Sequence, residues 1–194
     1  MIELAEKVEL AKVDDVEIAK VDEVESVDES ESAKVERACD LSVVGYTDVD
    51  YAGDLDKRRS TSGYLYTFVG GVISWFSRLQ SCTTLSTIEA VYVAASNACK
   101  EAIWLTRLVG DLGIVDEVPV LHCDSQSAIQ MARNPVFHAK TKHVDVKYHF
   151  TRDVLDDKRL HLSKVHTNDN PADLLTKTLS PEQFVHYREL MGIG

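Results

Sequence analysis

The sequence predicts an α/β fold in which a mixed five-stranded sheet, with three antiparallel strands first, is flanked by helices. Three observations support this prediction. Residues 41–76 contain three short apolar runs of strand length. At Ser86 the spacing of apolar residues changes from about two to about three and a half, which is typical of an amphipathic helix. Two further apolar runs, at 118–123 and 160–165, alternate with segments of helical character.

The bulk composition is that of one globular domain with appendages. The chain has 194 residues, of which 44% are hydrophobic and 27% are charged, and this length can bury a substantial core. Neither a membrane-spanning apolar run nor a secretory signal is recognisable, so we expect an intracellular chain, in cytoplasm or nucleus, that is not secreted and contacts no membrane. The four widely spaced cysteines suggest neither a zinc knuckle nor a disulfide framework.

The negative charge is concentrated at the start of the chain. Residues 1–40 contain 14 acidic and 5 basic residues, whereas residues 41–194 contain 18 and 16. The first segment also holds a degenerate repeat, VELAKVDD followed by VEIAKVDE, without aromatic residues, Gly or Pro. We therefore predict an acidic, low-complexity and disordered leader over 1–40, with an acidic interaction tail as the alternative, and a folded domain over 41–194.

The domain is predicted to open with three strands. The first covers Leu41–Tyr46, and the next two cover Gly63–Val69 and Val72–Phe76. Gly70 and Gly71 lie between the second and third strands. Because Gly-Gly is a strong two-residue hairpin signal, these two strands are expected to pair antiparallel.

A long helix is predicted from Ser86 to about Leu112. Ser86 or Thr87 is a suitable N-cap, and Glu89, Ser96 and Lys100 lie off its apolar stripe. We expect this stripe to face the sheet, and its members are Ile88, Val91, Tyr92, Ala95, Ala98, Cys99, Ala102 and Leu105.

Shorter elements follow. A fourth strand leads into Asp124 and a helix, a polar helical segment comes next, and a fifth strand precedes a helix with Pro171 in its first turn. The predicted ranges are Val118–Cys123, Thr141–Leu155, Leu160–Val165, Asn170–Lys177 and a closing helix over Pro181–Met191.

Three aspartates occupy comparable places in this topology. Asp48 follows the first predicted strand, Asp124 follows the fourth, and Asp173 lies near a helix start after the fifth. Parallel neighbours bring their carboxyl ends to one edge of a sheet, where acidic ligands could hold two Mg²⁺ ions for hydrolysis. Each residue also has a simpler explanation: a turn for Asp48, an N-cap for Asp124, and a favourable helix-dipole interaction for Asp173.

Several ordered motifs show a family resemblance. GYTDVDYAGDLDKRRSTSGYLYTFVGGVISWFSRLQ, LSTIEAVYVAAS, CDSQSAI, HAKTKHVDVKYHF and NPADLLTK together resemble the ribonuclease H domain of copia-type long-terminal-repeat retrotransposon Pol polyproteins. The resemblance covers about Gly45 to Gly192. It implies the ribonuclease H-like fold, and it implies that Asp48, Asp124 and Asp173 match three of the family's four metal-binding acids.

The fourth acidic position departs from the family pattern. Members usually read S-T-x-E-A-E-Y-x-A, with the second glutamate catalytic, whereas this chain has Glu89 first and Val91 second. Helical geometry places position 91 on the apolar stripe and Glu89 about 200° further round, toward solvent. One hypothesis is that Val91 removes a metal ligand and weakens or inactivates this copy. The other is that Glu89 reaches the site through a shifted helix start, as the fourth catalytic and metal-binding residue.

The resemblance also implies a function. We expect hydrolysis of the RNA strand of RNA–DNA hybrids with two Mg²⁺ ions, for which Mn²⁺ could substitute, and with a reverse transcriptase as a possible partner acting in trans. The alternative is an inactive retrotransposon remnant that keeps the fold and binds nucleic acid weakly. The oligomeric state is not indicated by the sequence.

Overall fold

A five-stranded sheet organises the residues that the computed structural model describes, which are 41–114, 117–133 and 142–193. The predicted leader over 1–40 lies outside them. The spatial order of the strands is β3-β2-β1-β4-β5. The first two strand pairs, β1–β2 and β2–β3, are antiparallel, whereas β4 pairs parallel with both β1 and β5. The strands are β1 Val44–Asp50, β2 Thr61–Phe68, β3 Gly71–Leu79, β4 Val120–Cys123 and β5 His161–Lys164. The predicted mixed sheet with three antiparallel strands first is confirmed.

The hairpin between β2 and β3 turns one residue earlier than predicted. Phe68 pairs with Gly71, so the two turn residues are Val69 and Gly70, with φ of 51° and 74°. Two consecutive positive φ angles are the signature of a type I′ turn, which suits the twist of the flanking strands. Val69 is a β-branched residue in this left-handed region, which is an uncommon and strained conformation.

Helix α1, Thr87–Asp111, begins as predicted. The Ser86 side chain caps it by accepting a hydrogen bond from the Glu89 backbone N–H. The eight consecutive residues Glu89 to Ser96 are all buried, because α1 packs against β1 and β2 as well as against two further helices. The predicted stripe is buried except for Ile88, which is exposed.

The remaining helices follow β4 and β5. Helix α2, Gln126–Arg133, follows β4, helix α3, Lys142–Asp156, precedes β5, and helix α4, Pro181–Leu190, closes the domain. The α-helix predicted over Asn170–Lys177 is instead a short 3₁₀ helix, Pro171–Leu175, preceded by another at Thr167–Asp169. None of the helices in the described ranges is long and apolar enough to cross a membrane.

The core lies between the sheet and α1. Tyr66 on β2 is fully buried, and its hydroxyl donates a hydrogen bond of 2.8 Å to the Ala98 carbonyl in α1. On the other side of α1, the Tyr92 hydroxyl donates to the Tyr148 carbonyl in α3 at 3.0 Å. These two bonds tie α1 to both of its neighbours and fix its position over the sheet.

Candidate metal centre

Asp48 lies inside β1, so the prediction that it follows the strand is wrong, and so is the alternative that it belongs to a turn. The strand continues to Asp50 because β1 pairs with β2 along that whole length, with Asp48 opposite Gly63. This cross-strand pairing satisfies the backbone hydrogen bonds of a stretch whose polar side chains are not typical of a β-strand. The Asp48 side chain is consequently only 4% exposed.

Asp124 directly follows β4, as predicted. Thr47 pairs with Cys123 in the parallel ladder, so the next residue on each strand, Asp48 and Asp124, is brought to the same edge of the sheet. Asp124 is half-buried. Its carboxylate accepts a hydrogen bond of 3.3 Å from the Thr167 hydroxyl.

Asp173 is carried by the Pro171–Leu175 helix, which docks onto the sheet. The buried Asn170 caps this helix and donates a hydrogen bond of 3.1 Å to the Thr47 carbonyl. Gly63 makes the close approach possible, since a Cβ there would lie 2.9 Å from the Leu175 Cβ. The docking delivers Asp173, itself buried, to the side of Asp48.

The structure therefore brings three of the four candidate ligands together. Carboxylate oxygens of Asp48, Asp124 and Asp173 all lie within 4.8 Å of one another. Burial, with repulsion from Asp48, raises the pKa of Asp124 above its usual range. Burial is also the main cause of the raised pKa of Asp173. Carboxyl groups held this closely disfavour one another's charge, which is the electrostatic environment that a cation relieves.

Two residues that the sequence did not single out complete this cluster. The Lys177 ammonium lies 2.9 Å from an Asp173 oxygen and 3.2 Å from an Asp48 oxygen, and the Thr176 hydroxyl donates a hydrogen bond to Asp48. Burial by itself lowers the pKa of Lys177, but the hydrogen bond to Asp173 and the attraction of both carboxylates outweigh it and raise the pKa. The four-residue spacing of Asp173 and Lys177 within NPADLLTK was the available sequence signal.

Glu89 lies outside this group. Contrary to the expectation that it faces solvent, its side chain is buried, and one carboxylate oxygen accepts a hydrogen bond of 2.9 Å from the Leu85 backbone N–H. The carboxylate thus folds back over the start of α1. The angular position of Glu89 on the helix does not predict this contact. Position 91 is buried in the core, as expected, and carries a valine. The ligand roles of all four acidic residues stay predictions.

The converging residues fit a hard divalent cation. Three carboxylates supply only oxygen donors, which Mg²⁺ and Mn²⁺ prefer over the nitrogen and sulfur donors suited to zinc. The donors come from β1, the end of β4 and a docked 3₁₀ helix, so they sit on separate rigid segments. Asp48, Asp124 and Asp173 are therefore the residues that would hold such an ion.

Comparisons with known proteins agree with the family resemblance of the sequence motifs. No protein-family model matches the chain. Over 149 residues it is 52% identical to the retrovirus-related Pol polyprotein from transposon TNT 1-94 of Nicotiana tabacum, an alignment that covers 77% of this chain and 11% of the relative. It is 38% identical over 154 residues to the Pol polyprotein from transposon RE1 of Arabidopsis thaliana, covering 79% and 10%. The chain thus spans about a tenth of the length of these relatives.

Solved structures match the fold. The LC11 ribonuclease H1 isolated from compost superimposes with a TM-score of 0.54 at 19% identity, covering 70% of this chain and 93% of that one. A foamy viral protease–reverse transcriptase in complex with an RNA/DNA hybrid superimposes with a TM-score of 0.53 at 12% identity, covering 90% and 24%. At these identities the likeness establishes the fold alone. Fold and sequence together show that this chain belongs to the ribonuclease H domains of retrovirus-related Pol polyproteins.

Proposed function

We propose that this chain hydrolyses the RNA strand of RNA–DNA hybrids with divalent metal ions, at a rate weakened by the valine at position 91. The observation that carries the proposal is the convergence of Asp48, Asp124 and Asp173 within 4.8 Å at one edge of the sheet. Bound Mg²⁺ or Mn²⁺ would activate a water and stabilise the leaving oxygen of the phosphodiester. The chain's own residues would bind and orient these ions.

The protein's contribution is to position charge. Asp48 is fixed inside a paired strand, and Asp173 is fixed by the docking of its helix through Asn170. Because both carboxylates are held by backbone elements before a cation arrives, little backbone rearrangement is needed to bind one. Asp124 is more exposed than the other two, which suits a residue that faces an incoming phosphodiester.

Position 91 is the reason to expect a weakened enzyme. The family pattern has a glutamate where this chain has a buried valine. Glu89 is engaged with the Leu85 backbone and does not join the group of three carboxylates. Three ligands still give a cation site, but one carboxylate fewer would hold the metal ions that stabilise the negative charge developing during hydrolysis.

The proposed partners follow from the relatives. A ribonuclease H1 with this fold has been solved in complex with an RNA/DNA hybrid, and the foamy viral neighbour carries the fold together with a reverse transcriptase. We propose an RNA–DNA hybrid as substrate and a reverse transcriptase, acting in trans, as the source of that hybrid. Such a substrate supports a cytoplasmic or nuclear location.

Cleavage of an end-labelled RNA–DNA hybrid with Mg²⁺ or Mn²⁺ tests the proposal, with Asp124→Asn as the matched control. We expect the wild-type chain to cut the RNA strand, EDTA to abolish cutting, and Asp124→Asn to lose it. A double-stranded DNA of the same sequence should stay intact. Equal cutting by the wild type and Asp124→Asn would place the activity elsewhere and refute the site.

The second candidate is an inactive remnant that binds the hybrid weakly. The observation that favours it is again the valine at position 91, combined with the helix-capping contact that occupies Glu89. Hybrid binding in a gel-shift assay without cleavage in either metal is the outcome that would select it. The two candidates share a fold and differ only in whether three carboxylates suffice for the reaction.

A further inference from the structure

The Lys177 side chain contacts two of the three carboxylates of the candidate metal site. Its ammonium lies 3.3 Å from one Asp48 oxygen and 3.2 Å from the other, and 2.9 Å from Asp173. The two carboxylates are almost fully buried, with 4% and 7% of their side chains exposed, whereas 35% of the Lys177 side chain is accessible. One cation thus bridges two buried anions from the solvent side.

We propose that Lys177 is an internal counter-cation, which holds the carboxylates of Asp48 and Asp173 together before metal binds and competes with the metal for the same oxygens. This inference rests on the proposed metal site and adds a regulation of its affinity. It is independent of whether position 91 permits hydrolysis.

The competition follows from geometry. A Mg²⁺ ion needs carboxylate oxygens at about 2.0–2.1 Å, and three oxygens of Asp48 and Asp173 already lie within 3.3 Å of the ammonium. Two cations cannot share them, because they would also repel each other at this distance. Metal binding therefore requires the Lys177 side chain to withdraw.

Withdrawal is feasible for this side chain. Lys177 follows the Pro171–Leu175 helix, and its backbone N–H stays bonded to the Asp173 carbonyl at 2.9 Å. Since a third of the side chain is already accessible, rotation about its flexible stem moves the ammonium into water, and the arriving metal ion then balances the two buried carboxylates. The docked helix itself need not move.

The counter-cation has opposite effects on two measurable quantities. Without metal it offsets the repulsion among three carboxylates, so its removal should lower the melting temperature. With metal it is a competitor, so its removal should tighten binding. A residue that merely positioned the ligands would act in the same direction on both quantities.

The test compares wild type with Lys177→Met in the full chain. We expect the Kd for Mn²⁺, measured by isothermal titration calorimetry, to fall about tenfold in Lys177→Met. We expect its melting temperature in EDTA to fall by about 2–4 °C. Lys177→Gln should change both quantities in the same directions, which keeps the test decisive if the methionine variant folds poorly, and Lys177→Arg should stay near wild type.

Lys158→Met is the matched control for loss of one positive charge. Lys158 is exposed and precedes the amino end of β5, whereas the carboxylates lie at the carboxyl ends of the strands. It should change neither quantity. Unchanged or weaker Mn²⁺ binding in Lys177→Met, or an unchanged melting temperature in EDTA, would overturn the proposal.

Failure of the proposed function would give a different set of results from failure of the counter-cation proposal. If the wild type neither binds Mn²⁺ nor cleaves a hybrid, the proposed function fails. The melting temperature in EDTA then decides the counter-cation role by itself: a drop in Lys177→Met and Lys177→Gln, but not in Lys158→Met, supports it, and the absence of such a drop overturns it.

Discussion

Replacing Val91 by glutamate restores the family's acidic residue at a position that is only 5% exposed. Val91 belongs to a core cluster that also includes Val49 of β1. The substitution Val91→Glu therefore puts a carboxyl group into apolar surroundings beside the strand that carries Asp48. Its effect should depend on whether a metal ion is there to bind it.

The expected cost without metal can be worked out. A buried, unpaired carboxyl group stays neutral, and holding a group with an ordinary pKa of about 4.3 neutral at pH 7 costs about 3.7 kcal/mol, at 1.36 kcal/mol per pH unit. Below about pH 4 the group is protonated in the folded and unfolded states alike, so this cost is absent. As pH rises, only the unfolded state ionises, and stability falls until the folded-state pKa is passed.

With metal bound the penalty should largely disappear, because the carboxylate is then charged and coordinated. Urea unfolding of Val91→Glu and of the uncharged control Val91→Gln, each from pH 4 to 8 in EDTA or saturating Mn²⁺, measures both situations. In EDTA the deficit of Val91→Glu relative to Val91→Gln should grow to about 3–4 kcal/mol at pH 7. In Mn²⁺ it should shrink, and Mg²⁺-dependent hybrid cleavage should exceed that of wild type by about 10²-fold or more.

Two results together would refute this reasoning. One is a stability deficit that is the same in EDTA and Mn²⁺, which means that the new carboxyl group does not reach a metal ion. The other is no gain in cleavage. Glu89→Gln then tests the competing hypothesis, since a fourth ligand at Glu89 requires that variant to weaken Mn²⁺ binding, whereas a helix-capping Glu89 affects thermal stability alone.

Three further predictions concern the fold that supports the site. Val69→Asn should stabilise the domain by about 1 kcal/mol in urea unfolding, because asparagine tolerates the positive φ of the type I′ turn that strains valine; a loss of stability would contradict this turn assignment. Gly63→Ala should destabilise the domain by about 1–3 kcal/mol and weaken Mn²⁺ binding in calorimetry, because the new methyl group pushes away the helix that carries Asp173. Unchanged Mn²⁺ affinity would show that the close approach of this helix to Gly63 is dispensable. Tyr66→Phe should cost about 1–2 kcal/mol on thermal unfolding, since it removes a buried hydrogen bond to Ala98 while keeping the ring, and a cost near zero would argue against that bond.

The elements with strong local patterns were predictable from sequence. The long apolar stripe and the Ser86 cap located α1 at its first residue, and compact apolar runs located β4 and β5 to within two residues. Asp124 was placed correctly because the end of a short apolar strand and the start of a helix both mark its position. In these cases neighbouring residues alone determine the structure.

The errors have two sources: contacts between residues distant in sequence, and local contacts that the residue types do not reveal. Asp48 lies within β1 because β2 pairs alongside it, and the hairpin turns at Val69 because Phe68 pairs with Gly71; neither pairing leaves a mark on the local sequence. Glu89 turns inward because the Leu85 backbone N–H is available to it. The role of Lys177 was missed because half of it depends on a contact with Asp48, which lies 129 positions away in the sequence.

That separation has a consequence for how the domain acquires its site. The contacts that complete it join the two ends of the fold: Asn170 bonds to Thr47 across 123 positions, and Lys177 to Asp48 across 129. Contacts so remote in sequence close a long loop, which costs more chain entropy than a local contact. Strands β1 and β4 position two of the three carboxylates, and the third is supplied only by residues 170–177. Tight Mn²⁺ binding would thus report that residues 170–177 have docked onto β1.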